Sequence, residues 1–322
     1  MEMKQERQSN LFIHNFKKIS VFIIKLCAVM GVLFTLFCMI SPQYLYSYNA
    51  SLIDKIDRLE AINEPKIVLV GNSNLAFGIN SVEIEEAFGM PVVNLGLNSV
   101  LGNPFLEEMA KLNVNEGDIY ILCHTDYSDD DTIGVYCAWL TLEDHFYLWK
   151  ILRSKDVIPM LQGFPIYVKR CLELWEEERG NRCGENAYNR LAFNEYGDVA
   201  YERKEPKKEI DIREVKVPEI ADTTAERINE LNQYMEDRGA TLLIAGYPIM
   251  VGEGTPPEEE YIKFQKQLED AMDAEVISDF TDYMIDYEYF YDTVYHLIDD
   301  GVEIRTRQLI NDLNDYLGQT EQ

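Results

Sequence analysis

The first long pattern along the chain is an apolar stretch from Ile19 to Ile40, in which Lys25 is the one charged residue. Its 22 residues match the roughly 20 that a helix needs to cross the hydrocarbon of a bilayer. Apolar on every side, it reads as a membrane span rather than as the buried stripe of a soluble helix. The pattern then changes. Residues 43–61 read as an amphipathic helix or linker. Five short segments rich in β-branched residues follow as predicted strands: Lys66–Val70, Pro91–Asn94, Asp118–Cys123, Ala240–Gly246 and Glu275–Ser278. Helical periodicity occupies Ser81–Phe88, Asn103–Leu112, Thr224–Arg238, Pro257–Ala274 and Val302–Leu317. Such alternation predicts an α/β domain built on a parallel sheet of about five strands with helices on both faces.

The rhythm breaks between about 126 and 223. Trp139 to Glu178 has the apolar spacing of one or two amphipathic helices, whereas Arg179 to Ala221 is polar with scattered lysines and glutamates. An insertion of this length reads either as a cap that shapes a site or as a solvated surface loop. The predicted organisation is therefore a tail over 1–18, an anchor over 19–40 and a linker over 41–63. A domain over 64–320 follows, carrying the insertion at about 126–223.

Charge sharpens this division. The formal net charge is −28, which excludes nucleic acid as a partner because phosphates would be repelled. Yet Lys4, Arg7, Lys17, Lys18 and Lys25 face only Glu2 and Glu6 before residue 42, so the net negative charge lies beyond the apolar stretch. Lysines on the N-terminal flank predict a cytoplasmic N-terminus, with the domain outside the cell membrane. A cleaved secretory signal is the alternative, but its apolar region is normally shorter, roughly 7–15 residues, and ends at small residues. Ser41-Pro42-Gln43-Tyr44 offers no such site.

Of the six cysteines, Cys27 and Cys38 fall in the apolar stretch. A Cys171–Cys183 bridge is compatible with the spacing, which does not fix connectivity. No Cys-x-x-Cys pair occurs, and the acidic run Asp126–Asp131 lacks the spacing and glycine of a calcium loop. No metal or cofactor is expected.

The candidate chemistry lies at two ends of the domain. Lys66-Ile67-Val68-Leu69-Val70-Gly71-Asn72-Ser73 delivers a serine just past a strand, where α/β folds collect ligands. Far along the chain, Asp292-Thr293-Val294-Tyr295-His296-Leu297 offers an imidazole with a carboxylate close behind it. Ser73, His296 and Asp292 would be nucleophile, base and orienting acid for acyl transfer. Neither a Gly-x-Gly-x-x-Gly pattern nor a P-loop lysine follows the first strand, which disfavours a nucleotide site.

These blocks, in this order, resemble the SGNH (GDSL-like) hydrolase superfamily, and in particular its membrane-anchored extracytoplasmic branch. The similarity covers roughly 64–125 and 240–317. Gly71-Asn72-Ser73 stands where many relatives have Gly-Asp-Ser. Val93-Asn94-Leu95-Gly96-Leu97-Asn98-Ser99 is similar to the second block, with Ser99 in place of the usual last glycine. The third block normally supplies an asparagine to the oxyanion hole. Here the strand ends Cys123-His124-Thr125-Asp126 instead, so either His124, Thr125 or another group compensates or the enzyme is slow. The last block is usually Asp-x-x-His; Asp292 stands one residue further from His296, leaving Asp286, Asp299 and Asp300 as fallback carboxylates.

The resemblance implies an SGNH-type (flavodoxin-like) sheet and an acyl-serine intermediate, with oxyanion donors among Ser73, Ser99, Gly96 and Asn98. It also implies esters of cell-wall or exported polysaccharide, acetyl esters above all, as substrates, and a multi-spanning membrane O-acyltransferase as a partner. Water as acceptor would make the protein an esterase, and a sugar hydroxyl an acyltransferase. A catalytically idle scaffold for such an acyltransferase is the alternative. Tyr283, Tyr287, Tyr289, Tyr291 and Tyr295 offer either a sugar-stacking wall or ordinary packing.

Overall fold

The computed structural model describes residues 2–39, 46–143, 145–176 and 186–320. Cys183, and with it the Cys171–Cys183 pairing, lies outside the described residues, as does Ser41–Tyr44. Seven strands occur among them: β1 (Ile67–Gly71), β2 (Val92–Asn94), β3 (Ile119–Cys123), β4 (Thr241–Ile244), β5 (Ile249–Val251), β6 (Glu275–Val276) and β7 (Met284–Asp286). Five of these form one parallel sheet in the order β2-β1-β3-β4-β6. β5 and β7 pair separately, also in parallel.

Ten α-helices accompany the strands among the described residues. α1 (Glu2–Met39) precedes the domain, α2 (Ser51–Ala61) leads into β1, and α3 (Ser73–Ala76), α4 (Ser81–Phe88) and α5 (Asn103–Ala110) follow. The insertion carries α6 (Val135–Thr141) and α7 (Val157–Glu176). The remainder are α8 (Asp222–Glu236), α9 (Glu258–Ala271) and α10 (Asp299–Thr320). Within α1, Phe16–Leu36 is long and apolar enough to cross a membrane, and it is exposed along nearly all its length, Phe34 being half-buried.

Alternation along the strands explains the layers. Ile67, Leu69, Ile119, Ile121 and Leu243 point to one face and pack with Ile84 of α4 and Leu309 and Leu313 of α10. Val68, Val70, Tyr120, Leu122 and Leu242 point to the other and pack with α2, α5, α8 and α9. This period of two, apolar on both sides, is what a fully covered parallel sheet requires. The described second part of the insertion is not a free loop. Tyr196 O accepts from Asn94 N at 2.8 Å and Ala76 O from Val199 N at 2.8 Å, stapling the segment to β2 and α3. Buried Asp198 binds Ser81 N and Oγ and the Asn94 side chain.

The strand order reverses at β1: β2 lies to one side and β3 to the other. A crevice opens at the carboxyl ends of such neighbours. That crevice holds the site.

Candidate active site

Ser73 is placed by a turn whose polar groups satisfy one another. β1 ends at Gly71, where a side chain would sit 2.8 Å from Cys123 O. Asn72 then caps α3, its Oδ1 accepting from Asn74 N at 3.0 Å and from Asn74 Nδ2 at 2.7 Å. The Asn72 amide donates to Thr125 Oγ1 at 2.7 Å, a bond that an aspartate in this position could not donate. Behind the turn lies the wholly buried guanidinium of Arg305, which donates to Asn74 O and Oδ1 at 2.5 and 2.7 Å. An isolated bridge between Asn72 and Leu97 brings the loop after β2 alongside. Gly96 permits this approach, since a Cβ there would lie 2.6 Å from Ala76 N.

The late loop reaches the same place. Tyr291 N donates to His296 O at 2.8 Å, and Thr293 Oγ1 accepts from the N–H groups of Tyr295 and His296. The chain is thereby curled so that Asp292 returns to the ring despite the extra residue. His296 Nδ1 lies 2.8 Å from Asp292 Oδ1, and Nε2 lies 2.9 Å from Ser73 Oγ. Because a carboxylate can only accept at Nδ1, the proton belongs there, leaving Nε2 bare to accept from the serine hydroxyl. The imidazole stacks on Phe77 with centroids 4.0 Å apart and planes 9° from parallel. Of the fallback carboxylates, Asp299 instead accepts from Arg203 N at 3.0 Å.

Two further groups complete the arrangement. Tyr188, from the insertion, donates to Asp292 Oδ2 at 2.9 Å and lies 3.1 Å from His296 Nδ1. Lys207 Nζ stands 3.7 Å from the same carboxylate oxygen. Burial, which disfavours the imidazolium, holds His296 below the ordinary histidine pKa although Asp292 pulls the other way. Burial alone would raise Asp292; the hydrogen bond and charge of His296, then Tyr188 and Lys207, hold it below the ordinary carboxylate value. The pair therefore favours neutral imidazole beside ionised carboxylate, the state a general base needs.

Ser73 and His296 open into a cleft of about 620 Å³ that Asn98, Ser99, Tyr48 and Tyr188 also line. The volume is typical of a small-molecule site. Ser99 begins a short 3-10 helix (Ser99–Leu101), so its N–H has no intrahelical acceptor. Asn98 Oδ1 caps that helix by accepting from Val100 N, which leaves its amide protons unspent.

The remaining expected donors are placed differently. Gly96 N–H already donates to Asn94 Oδ1 at 2.9 Å, so it is not available to a ligand. His124 is fully buried, with Nε2 at 3.0 Å from Glu107 Oε1, and Glu107 in turn binds Arg227. Thr125 is engaged by Asn72. Neither lines the cleft. Of the five late tyrosines, Tyr295 alone lines it, while Tyr283 is core and donates to Asp312. The acidic loop is internally satisfied, with Asp131 paired to Arg153 and Lys155 and Asp130 to Thr132.

Sequence reasoning did not find Tyr188, Phe77 or Lys207. Tyr188 lies 104 positions before Asp292 in a segment whose composition is that of an ordinary polar loop. Comparison with family models, with curated proteins and with solved structures finds no match to this chain.

Proposed function

We propose that this chain is a serine esterase or O-acyltransferase of SGNH-like type, held at the outer face of the cell membrane by its N-terminal helix. One observation carries the reading: Ser73, His296 and Asp292 form a continuous hydrogen-bonded relay across 223 positions of sequence. The serine sits in the crevice where the strand order reverses.

In the proposed reaction Ser73 Oγ attacks an ester carbonyl while His296 Nε2 takes its proton. Asp292 and Tyr188 hold the ring and offset the charge of the imidazolium. Negative charge on the former carbonyl oxygen meets the N–H groups of Ser73 and Ser99, with the Asn98 amide in place of the asparagine absent from the end of β3. One such donor typically contributes about 2.7–4 kcal/mol to the transition state. The tetrahedral adduct collapses, His296 returns its proton to the departing alcohol, and acyl-Ser73 remains. Water or a sugar hydroxyl, deprotonated by the same nitrogen, then takes the acyl group.

Lysines before the span favour a cytoplasmic N-terminus, which leaves the acidic domain outside. There it would meet acylated cell-wall or exported polysaccharide, and Tyr48, Tyr188 and Tyr295 give the cleft aromatic surface suited to sugar rings. A multi-spanning O-acyltransferase is the expected partner if transfer rather than hydrolysis is the reaction, since one span cannot carry acyl groups across the bilayer. The test is release of acetate from an acetylated glycan, or of p-nitrophenol from its acetate, by the detergent-solubilised full chain. Activity should vanish in Ser73→Ala; activity that persists unchanged in this variant would overturn the assignment.

A second reading, an idle scaffold for a membrane acyltransferase, draws on one observation. No polar side chain at the end of β3 reaches the cleft, because His124 and Thr125 are both engaged elsewhere. A folded protein that hydrolyses no ester but binds such a partner would favour it.

A further inference from the structure

α7 carries apolar surface on two faces. Met160, Tyr167 and Cys171 turn inward toward Trp139 of α6. On the opposite side Ile158, Leu161 and Ile166 are 65, 60 and 64 % exposed. Their spacing puts them on one stripe, which Pro165 and Gln162 share. In the segment that precedes α7, Phe146 and Tyr147 are about half exposed. A soluble surface does not ordinarily leave so much contiguous apolar area to water.

Two observations indicate what covers this stripe. First, Phe34, near the C-terminal end of the span Phe16–Leu36, packs against Phe164 of α7 and Phe146, with ring centroids 5.1 and 5.9 Å apart. The exposed stripe therefore begins where the apolar span ends. Second, Lys169 and Arg170 balance Glu173 and Glu176 within Val157–Glu176, so α7 carries no net charge in a chain whose net charge is −28. An apolar stripe on a helix without net charge, beside the end of a membrane span, is the chemistry of a helix lying in the headgroup region of a bilayer.

We propose that α7 lies in the outer leaflet interface, with Ile158, Leu161 and Ile166 inserted among the lipids beside the anchor. This rests on the anchored reading of the span. It fixes the orientation of the domain as well as its attachment. Contacts continue from α7 toward the cleft: Phe164 meets Trp139, Asn49 donates to Cys137 Sγ at 3.1 Å, and the Tyr48 ring lies tilted against Tyr188. The cleft is thereby held close to the membrane surface, facing acyl esters near the bilayer rather than those far out in the wall.

The test uses the full chain in nanodiscs containing phosphatidylglycerol and a spin-labelled quenching lipid. Cys27, Cys38 and Cys183 are changed to serine, and a single NBD fluorophore is placed at Leu161→Cys, at Val29→Cys in the span, or at Glu259→Cys on exposed α9. The proposal expects strong quenching at positions 29 and 161 and none at 259. Quenching at 29 without quenching at 161 overturns the proposal and leaves the anchor intact, pointing to a protein partner as the cover. No quenching at 29 overturns both. As a second variant, Ile158→Asp with Ile166→Asp changes only exposed side chains, and it should abolish quenching at 161 while leaving that at 29 unchanged.

Discussion

Replacing Tyr188 with phenylalanine removes one hydroxyl from the relay and leaves the ring that packs on Phe77 and Tyr48 in place. Asp292 Oδ2 then keeps only Lys207, at 3.7 Å. A hydrogen bond to a charged group is worth about 1.5–3 kcal/mol, and each 1.36 kcal/mol is roughly tenfold in rate. Because Tyr188 is only part-buried, water recovers some of the loss, and the lower end applies: a fall in kcat/KM of roughly tenfold. The pH dependence should move as well. In the native protein burial keeps His296 below its ordinary value, so the rising limb of kcat/KM lies below about pH 6.5. Without the tyrosine the carboxylate charge is shared less, the imidazolium is favoured more, and the limb moves to higher pH. Initial rates of p-nitrophenyl acetate hydrolysis from pH 4.5 to 8 measure both effects, with thermal unfolding as a control. A variant with native rate and an unmoved limb would refute the positioning role.

Arg305→Leu should leave Asn74 O and Oδ1 without their buried donor, costing about 3 kcal/mol or more and lowering the unfolding midpoint by roughly 6–12 °C. A calorimetric melt checks this, and an unchanged midpoint would contradict the role given to the guanidinium. Lys55 is buried beneath Asn94 O and Gly197 O, and burial lowers its pKa to about 7. Between that value and the ordinary lysine range the unfolded chain holds a proton that the folded chain lacks, so stability rises with pH. Relative to Lys55→Met, native stability should climb by about 1 kcal/mol per pH unit between pH 8 and 10. Urea unfolding of both proteins across that range measures the difference; a flat one would show that Lys55 titrates normally.

Where periodicity was clean, the fold was legible from sequence. The expected segment Ser81–Phe88 is α4 to the residue, and each of the five expected strands contains one strand of the parallel sheet except at β1, which extends to Gly71. The small β5–β7 sheet went unread. Ser73, His296 and Asp292 were legible because a strand-end serine and a late Asp–His pair keep their local sequence signals. Their neighbours do not. Phe77 looks like any core aromatic, and Tyr188 reaches Asp292 from an insertion that Asp198 and Arg203 staple to β2 and the late loop. Likewise Gly96 was a plausible oxyanion donor until its N–H was seen to be taken by Asn94, a contact between residues two apart that depends on the turn.

Whether Ser73 is a nucleophile is most directly read by a fluorophosphonate probe, which phosphonylates a serine only when a base activates it. Intact-mass and peptide analysis of the labelled full chain should locate one adduct on Ser73, absent in Ser73→Ala and strongly slowed in His296→Ala. A correctly folded protein that takes up no label after prolonged exposure would contradict catalysis and leave only the scaffold.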